Sequence, residues 1–85
     1  MSAVASGPQI VELLRLVAAV LPDVDSQSLT ESTDLYALGL DSGAAVELML
    51  AVESHYNMTF PDSLIDETTF RSPQALLEAV RRVTG

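Results

Sequence analysis

Apolar residues recur at spacings of three and four in three separate stretches of this 85-residue chain, with prolines at the breaks between them. Such spacing places the apolar side chains on one side of a helix and is typical of amphipathic helices that share a core. No stretch of useful length alternates apolar and polar residues as a half-buried strand would. The sequence therefore predicts an all-α fold with three main helices, and its length predicts a single small domain.

The first helix is predicted to open at Gly7 and Pro8, because proline is well tolerated at the first helical position, and to end at Pro22. Residues 1 to 7 are then expected to form a flexible N-terminus. The predicted buried stripe of this helix consists of Ile10, Leu13, Leu14, Val17 and Leu21.

The second helix is predicted over residues 42 to 56, with Asn57 as its stop because asparagine tolerates the left-handed conformation. Its core stripe is Ala45, Leu48, Met49, Val52 and Tyr56. The last helix is predicted over residues 74 to 83, with Ser72 as cap and Pro73 at the first helical position. Its apolar side is Leu76, Leu77, Val80 and Val83.

A long connection, residues 22 to 41, joins the first two helices. Loops of that length without structure are unusual in compact domains and are often functional. Regularly placed leucines are expected to anchor it across the bundle: Leu29, Leu35, Leu38 and Leu40. After the break at Phe60 and Pro61, residues 63 to 70 are predicted to hold one or two short helical turns.

The net charge of -8 rests on 12 acidic residues against four arginines, with no lysine. Nucleic acids and anionic membrane surfaces would repel such a chain, so we expect neither as a partner. The charge favours protein partners with basic docking patches, and it equally serves the solubility of a small protein. There is no cysteine, which excludes disulfides and thiolate chemistry, and no secretion signal is recognisable, so the expected compartment is the cytoplasm.

Asp41 and Ser42 stand where the long connection meets the second helix. The first N–H groups of a helix lack partners within it, and together they attract anions, phosphate above all. A serine at or beside this position is well placed to carry a phosphoester. The alternative is an ordinary serine N-cap, and these two residues alone leave both interpretations open.

No residue pattern supplies catalysis or a metal site of its own. His55 is the sole histidine and lies about 20 Å along the helix from Ser42, so it cannot activate that hydroxyl. Residues 39 to 43 lack the glycine spacing of a nucleophile elbow. An EF-hand loop beginning at Asp23 would place Ser28 where glycine is required. We therefore predict a protein that is neither an enzyme nor metal-binding.

The second helix also has apolar residues on the side opposite its core stripe. Val46 and Leu50 are expected to be partly exposed there among carboxylates. Isolated surface apolar residues are ordinary, but two in line beside Ser42 suggest a docking strip for a basic partner with an apolar centre. The predicted strip consists of Gly43, Val46, Glu47 and Leu50, with Glu53 at its flank.

Taken in order, these residues resemble the phosphopantetheine-binding carrier proteins, acyl and peptidyl. The resemblance runs from Ile10 to Val83, and its centre is Asp34-Leu35, Leu38 to Ser42, Val46 to Leu48, Glu53 and Phe60-Pro61. It implies a four-helix bundle of the acyl-carrier type over residues 8 to 85, with three main helices, one short helix and a long first loop.

The resemblance further implies that Ser42 carries a 4′-phosphopantetheine arm derived from coenzyme A. Asp41 would assist the phosphopantetheinyl transferase that attaches the arm, and the strip on the second helix would meet an adenylating or acyl-loading enzyme and later transferases or synthases. Gly43 departs from the family, which usually has an apolar residue after the serine, and this bears on which transferase acts.

The cargo implied is an acyl or aminoacyl thioester. The segments from Val46 to Glu53 and from Phe60 to Ile65 are similar to small free-standing carriers of dedicated pathways, which favours an aminoacyl, polyketide or peptide cargo on a monomeric protein. The competing interpretation is an unmodified acidic interaction or regulatory domain, in which Ser42 is only a cap.

Overall fold

The computed structural model describes residues 9–21 and 23–85. Within that part of the chain, three α-helices are joined by connections that contain three 3₁₀ turns, and no strand occurs. The helices are α1 (Ile10–Val20), α2 (Ser42–Tyr56) and α3 (Pro73–Thr84). The turns are Ser26–Ser28, Tyr36–Leu38 and Asp62–Leu64. The predicted all-α class and its three main helices are confirmed.

The core lies between the predicted stripes of the helices, and α1 is the central helix because it packs against both α2 and α3. Burying a leucine or valine side chain contributes about 1.5–3 kcal/mol, so these few positions supply much of the stability of so small a domain. The fully buried residues on the three helices include Leu13, Val17, Leu48, Val52, Leu76 and Val80.

The helix ends follow local side-chain chemistry. Asn57 has a left-handed backbone, with φ of 53°, and ends α2 as predicted. The Ser72 hydroxyl accepts a hydrogen bond of 3.2 Å from the Ala75 N–H, which confirms the predicted cap of α3. The predicted opening of α1 at Pro8 is wrong, because Gln9 has an extended backbone and is itself the N-cap. The flexible N-terminus predicted for residues 1 to 7 lies outside the described residues.

The long connection lies across the bundle, as predicted, because backbone hydrogen bonds join it to the start of α3. The N–H of Leu35 donates to the Arg71 carbonyl at 2.8 Å, and the N–H of Gln74 donates to the Glu31 carbonyl at 2.9 Å. Three of the four predicted anchors are buried: Leu29, Leu35 and Leu40.

The prediction that Leu38 is a fourth buried anchor is wrong, since 40% of its surface is exposed. It ends a tight 3₁₀ turn that is followed by Gly39 in the left-handed region, with φ of 103°. That reversal brings Leu40 into the core and leaves Leu38 outside it.

The segment before α3 contains one short helical turn, within the one or two predicted. A single 3₁₀ turn, Asp62–Leu64, is followed by a turn over residues 67 to 70, which stands in place of the short helix. Phe70 is buried against Phe60, with ring centroids 5.7 Å apart, and this pair anchors the segment at both ends. Among the described helices, none has both the length and the apolar character that crossing a bilayer requires.

Candidate functional site

Asp41, not Ser42, caps α2. The Asp41 backbone is extended and its Oδ1 accepts a hydrogen bond of 2.8 Å from the Ala44 N–H. Ser42 is the first residue of the helix and is exposed. Because its neighbour performs the capping, the Ser42 hydroxyl is not committed to the helix end, contrary to the interpretation of Ser42 as an ordinary cap.

The surface around the Ser42 hydroxyl is open and suits an anion. The N–H groups of Ser42 and Gly43 belong to the first turn, whose donors lie outside the intrahelical ladder and favour negative charge. A Cβ added to Gly43 would meet only Asp41 Oδ1, at 3.6 Å, which is an ordinary contact. Glycine is therefore not required here by lack of space, and its effect is to leave the surface beside Ser42 bare.

His55 lies at the far end of α2, near α1. Its Nε2 is 3.9 Å from Glu12 Oε2, and both side chains are partly exposed. The histidine therefore lies at the helix end opposite Ser42, as the sequence predicts, and cannot accept a proton from the serine. Among the described residues, no group of three His, Cys, Asp or Glu side chains is arranged to hold a metal ion.

A groove of about 510 Å³ opens beside Ser42. One wall is α2, and the other is the segment that precedes α3. Its floor is apolar and its rim carries carboxylates. The lining residues are Tyr36, Leu40, Asp41, Ser42, Ala45, Val46, Met49, Ile65, Asp66, Glu67 and Phe70.

The carboxylate of Asp66 on this rim is held in its charged form. Its Oδ1 accepts a hydrogen bond of 2.8 Å from the Thr69 N–H. That bond, with a further one from the Thr69 side chain, lowers the pKa of Asp66 below its usual range. The rim is therefore negative at neutral pH.

Tyr36 joins the long connection to the second wall of the groove. Its hydroxyl donates a hydrogen bond of 3.0 Å to the backbone carbonyl of Glu67. The Arg71 guanidinium carbon lies 5.6 Å from the centre of the Tyr36 ring, and Arg71 also lies 3.8 Å from Asp34. Burial first, and then the Glu67 carboxylate, raise the pKa of Tyr36, so the hydroxyl remains a donor at neutral pH.

Three predicted members of the docking strip have exposed side chains along α2. Val46 and Leu50 have 51% and 55% of their surfaces exposed, and Glu47 lies between them on the exposed side. Gly43 is exposed at the start of the same side. The opposite face of α2 buries Leu48 and Val52. The helix therefore has the two apolar faces that the sequence predicts.

Glu53, predicted at the flank of the strip, is placed differently. Its Oε2 accepts a hydrogen bond of 2.8 Å from the Phe60 N–H, and the residue is half-buried. The carboxylate satisfies a backbone donor in the chain reversal after α2, so it does not project toward solvent beside Leu50. The exposed strip is thus Gly43, Val46, Glu47 and Leu50.

The second wall of the groove was not identified as part of the site from the sequence. Ile65 and Glu67 follow the break at Pro61, and they approach Ser42 only because the chain folds back after α2. The sequence of this segment contains recognisable turn residues, but it does not show how close the segment lies to Ser42.

The family model described as "Phosphopantetheine attachment site" matches residues 11–85. An aminoacyl carrier protein of Agrobacterium fabrum is 38% identical over 56 residues, covering 66% of this chain and 68% of the relative. A D-alanyl carrier protein of Bacillus licheniformis is 33% identical over 73 residues, covering 85% of this chain and 92% of the relative.

Solved structures share the fold. One is the crystal structure of an engineered Bradyrhizobium japonicum glycine:carrier protein ligase with a carrier protein from Agrobacterium tumefaciens and ATP. The matched chain has a TM-score of 0.77 and 30% identity, over 88% of this chain and 100% of that chain.

Another is the Bradyrhizobium japonicum ligase with its cognate carrier and an analogue of glycyl adenylate. It matches with a TM-score of 0.71 and 30% identity, over 86% of this chain and 96% of that chain. The matched family model, the relatives and the acyl-carrier fold agree. The chain belongs to the phosphopantetheine-binding carrier proteins, a non-catalytic family whose prosthetic group is 4′-phosphopantetheine.

Proposed function

We propose that this protein carries an aminoacyl group as a thioester on a 4′-phosphopantetheine arm attached to Ser42. The observation that supports the attachment residue is the exposed Ser42 hydroxyl on the first turn of α2, released from capping by Asp41. The sole histidine, His55, lies at the opposite end of α2 and cannot activate this hydroxyl, which suits a hydroxyl that another protein modifies.

The residues around Ser42 fit the arm. A phosphodiester on the hydroxyl would lie against the first N–H groups of α2, where a helix favours negative charge. Gly43 adds no side chain beside it, and the groove provides open space on the other side. When bound, the arm supplies a terminal thiol for thioester formation, and the protein supplies its position.

Asp41 is proposed to act in loading of the arm as well as in folding. Its Oδ1 is engaged by the Ala44 N–H, while the carboxylate as a whole is exposed beside the Ser42 hydroxyl. An exposed carboxylate there can help a transferase place a metal ion and the phosphates of coenzyme A.

The aminoacyl cargo is supported by the relatives. The two relatives by sequence are named aminoacyl and D-alanyl carrier proteins. The similar solved structures are carrier proteins in complex with a glycine ligase. We therefore propose an adenylating ligase that activates a small amino acid as the loading partner. Polyketide or peptide intermediates are the alternative cargoes.

The exposed strip is proposed as the first contact of that ligase. Val46 and Leu50 offer apolar surface, and Glu47 adds charge to a chain whose net charge is -8. Exposed charge pairs contribute only about 0–1 kcal/mol each, so their main effect is on association rate and its salt dependence.

Attachment of the arm is tested by intact mass. The apo protein is incubated with coenzyme A, magnesium and a broad-specificity phosphopantetheinyl transferase, and one added arm is expected. Ser42→Ala should show no gain, whereas Ser54→Ala, which changes another exposed serine of α2, should gain the arm normally. No gain on the wild type with several transferases would indicate an unmodified acidic interaction domain instead.

The cargo is tested on the holo protein. It is incubated with ATP, each small amino acid in turn and a glycine:carrier protein ligase, and the thioester is followed by mass and by its release with hydroxylamine. Loading with glycine or alanine is expected. If only malonyl or other acyl groups can be transferred, the aminoacyl proposal is wrong while the carrier function stands.

A further inference from the structure

The wall of the groove that faces α2 is anchored at its ends by Phe60 and Phe70 and packs Leu64 against the core, but it has few hydrogen bonds to other parts of the described chain. No backbone hydrogen bond joins residues 61 to 68 to a distant part of the described chain. The bonds that the segment makes to neighbours in sequence, such as Leu64 N–H to the Pro61 carbonyl, shape its turns without fixing its position.

One side-chain hydrogen bond supplies that attachment. The Tyr36 hydroxyl donates to the Glu67 carbonyl across a sequence separation of 31 residues, at 3.0 Å. In the described chain it is the one hydrogen bond between residues 61 to 68 and a residue remote in sequence. The position of Tyr36 is itself fixed, because the adjacent Leu35 N–H donates to the Arg71 carbonyl and the Arg71 side chain lies over the ring.

The wall that Tyr36 holds carries a second exposed apolar side chain. Ile65 has 44% of its surface exposed and lines the same groove as Val46, from the other side. Exposed carboxylates surround the pair, on Asp66 and Glu67 of this wall and on Glu47 of α2. The two side chains form an exposed apolar pair with an acidic rim, and the hydrogen bond from Tyr36 reaches the wall that carries Ile65.

We propose that Tyr36 is a positioning residue whose hydroxyl holds Ile65 across the groove from Val46, so that the two side chains together form the contact for the loading ligase. The proposed occupant is a ligase surface with one apolar side chain between Val46 and Ile65, flanked by lysine or arginine facing the carboxylates. Charge complementarity favours it, because the rim is wholly acidic. The inference rests on the proposed carrier function and adds a second wall to its docking surface.

Tyr36→Phe removes the hydroxyl and keeps the ring. Tyr56→Phe is the matched control, since it removes a phenolic hydrogen bond of the same length, 3.0 Å, to Glu12 on the α1 side of the molecule. In Tyr36→Phe the hydrogen-bonded amides within residues 62 to 68, those of Leu64 and Ile65, should exchange with deuterium about 2–10-fold faster, the scale expected for one lost hydrogen bond. In Tyr56→Phe their exchange should not change.

The functional measurement is steady-state loading of the holo protein by the adenylating ligase. Tyr36→Phe and Ile65→Ala should each raise the KM for the carrier by about 2–10-fold with kcat unchanged, because the reacting thiol is not altered. Combining them should add less than about twofold to the effect of Ile65→Ala alone, since the hydroxyl acts through Ile65.

The proposal is overturned if exchange in residues 62 to 68 is equal in wild type and Tyr36→Phe. It is also overturned if the two effects on KM multiply, or if kcat falls in place of the rise in KM. In these cases the wild type is still modified and loaded, and the proposed function stands. A wild type that takes no arm or no amino acid would instead remove the proposed function, and this inference with it.

Discussion

The hydroxyl of Tyr56, in the last turn of α2, donates a hydrogen bond of 3.0 Å to Glu12 Oε1 in the first turn of α1. The same carboxylate accepts from the Gln9 N–H and lies 3.9 Å from His55 Nε2. The Glu12 carboxylate thus accepts a hydrogen bond at the start of its own helix and another from α2. The contact lies at the end of α2 remote from Ser42.

The stability that this contact contributes should decrease at acid pH. The Gln9 N–H first, and then the Tyr56 hydroxyl, lower the pKa of Glu12 below its ordinary value of 4.5. A carboxyl with a lowered folded-state pKa stabilises the protein above its unfolded-state pKa, and that stability is lost as the pH falls through the folded-state value.

We expect Tyr56→Phe to cost about 0.5–1.5 kcal/mol at pH 7, and less as the pH falls through the lowered pKa of Glu12 and that carboxylate is protonated. Urea unfolding of both proteins across pH 3 to 7 measures the difference. A cost that does not change with pH would mean that the Glu12 charge contributes nothing to the contact.

Two leucines of α2 should behave in opposite ways. Leu48 is fully buried, so Leu48→Ala should destabilise the fold by about 2–5 kcal/mol. Leu50 is 55% exposed, so Leu50→Ala should change stability by no more than about 0.5 kcal/mol while it raises the KM for the loading ligase. Thermal unfolding followed by circular dichroism gives the stabilities. If Leu50→Ala lowers the melting temperature as much as Leu48→Ala does, Leu50 belongs to the core.

Alanine substitutions of two glutamates of α2 should also differ in their cost to stability. Glu53→Ala leaves the N–H of the buried Phe60 without its acceptor and should cost about 1–3 kcal/mol. Glu47→Ala, at an exposed position on the same helix, should cost no more than about 0.5 kcal/mol.

Of these two glutamates, Glu47 is expected to contribute charge to association with the ligase. Glu47→Lys should slow loading by the ligase most strongly at low ionic strength, because exposed charges are screened by salt. Loading rates between low and high salt test this, and a rate independent of ionic strength would remove Glu47 from the docking surface.

Asp41 should show two separable roles. Asp41→Ala removes the cap and should cost about 0.5–2 kcal/mol of stability. Asp41→Asn keeps a capping oxygen but no charge, so it should retain near wild-type stability while attachment of the arm slows by about tenfold, equivalent to about 1.4 kcal/mol. Urea unfolding and transferase kinetics on the two variants measure the roles. Equal loading rates for Asp41→Asn and wild type would show that the charge is not used.

The helices were predictable because their signals are local. Apolar residues three and four apart, with Asn57 and Pro73 at helix boundaries, specify which side is buried and where the chain turns. Leu38 was wrongly placed because its exposure depends on the positive φ of Gly39, which no apolar pattern reveals. The hydrogen bond of Glu53 could not be predicted for a similar reason, since its partner is a backbone N–H beyond the end of the helix.

The site was predictable only on its α2 side. Ser42, Val46 and Leu50 follow one another on a single helix, so their relation could be deduced from its period. The opposite wall is joined to the long connection by a hydrogen bond between Tyr36 and Glu67, which are 31 residues apart in sequence. A lone tyrosine in a loop carries no signal of such a partner.

The capping of α2 by Asp41 has a consequence for how this protein can be used repeatedly. The aspartate stabilises the start of α2, while the adjacent serine has no capping hydrogen bond that a substituent on its oxygen would remove. With the arm on Ser42 as proposed, the bare and modified forms can share one backbone and nearly one stability. An enzyme that distinguishes them must sense the appended group itself, and the domain can pass between enzymes without refolding at any exchange.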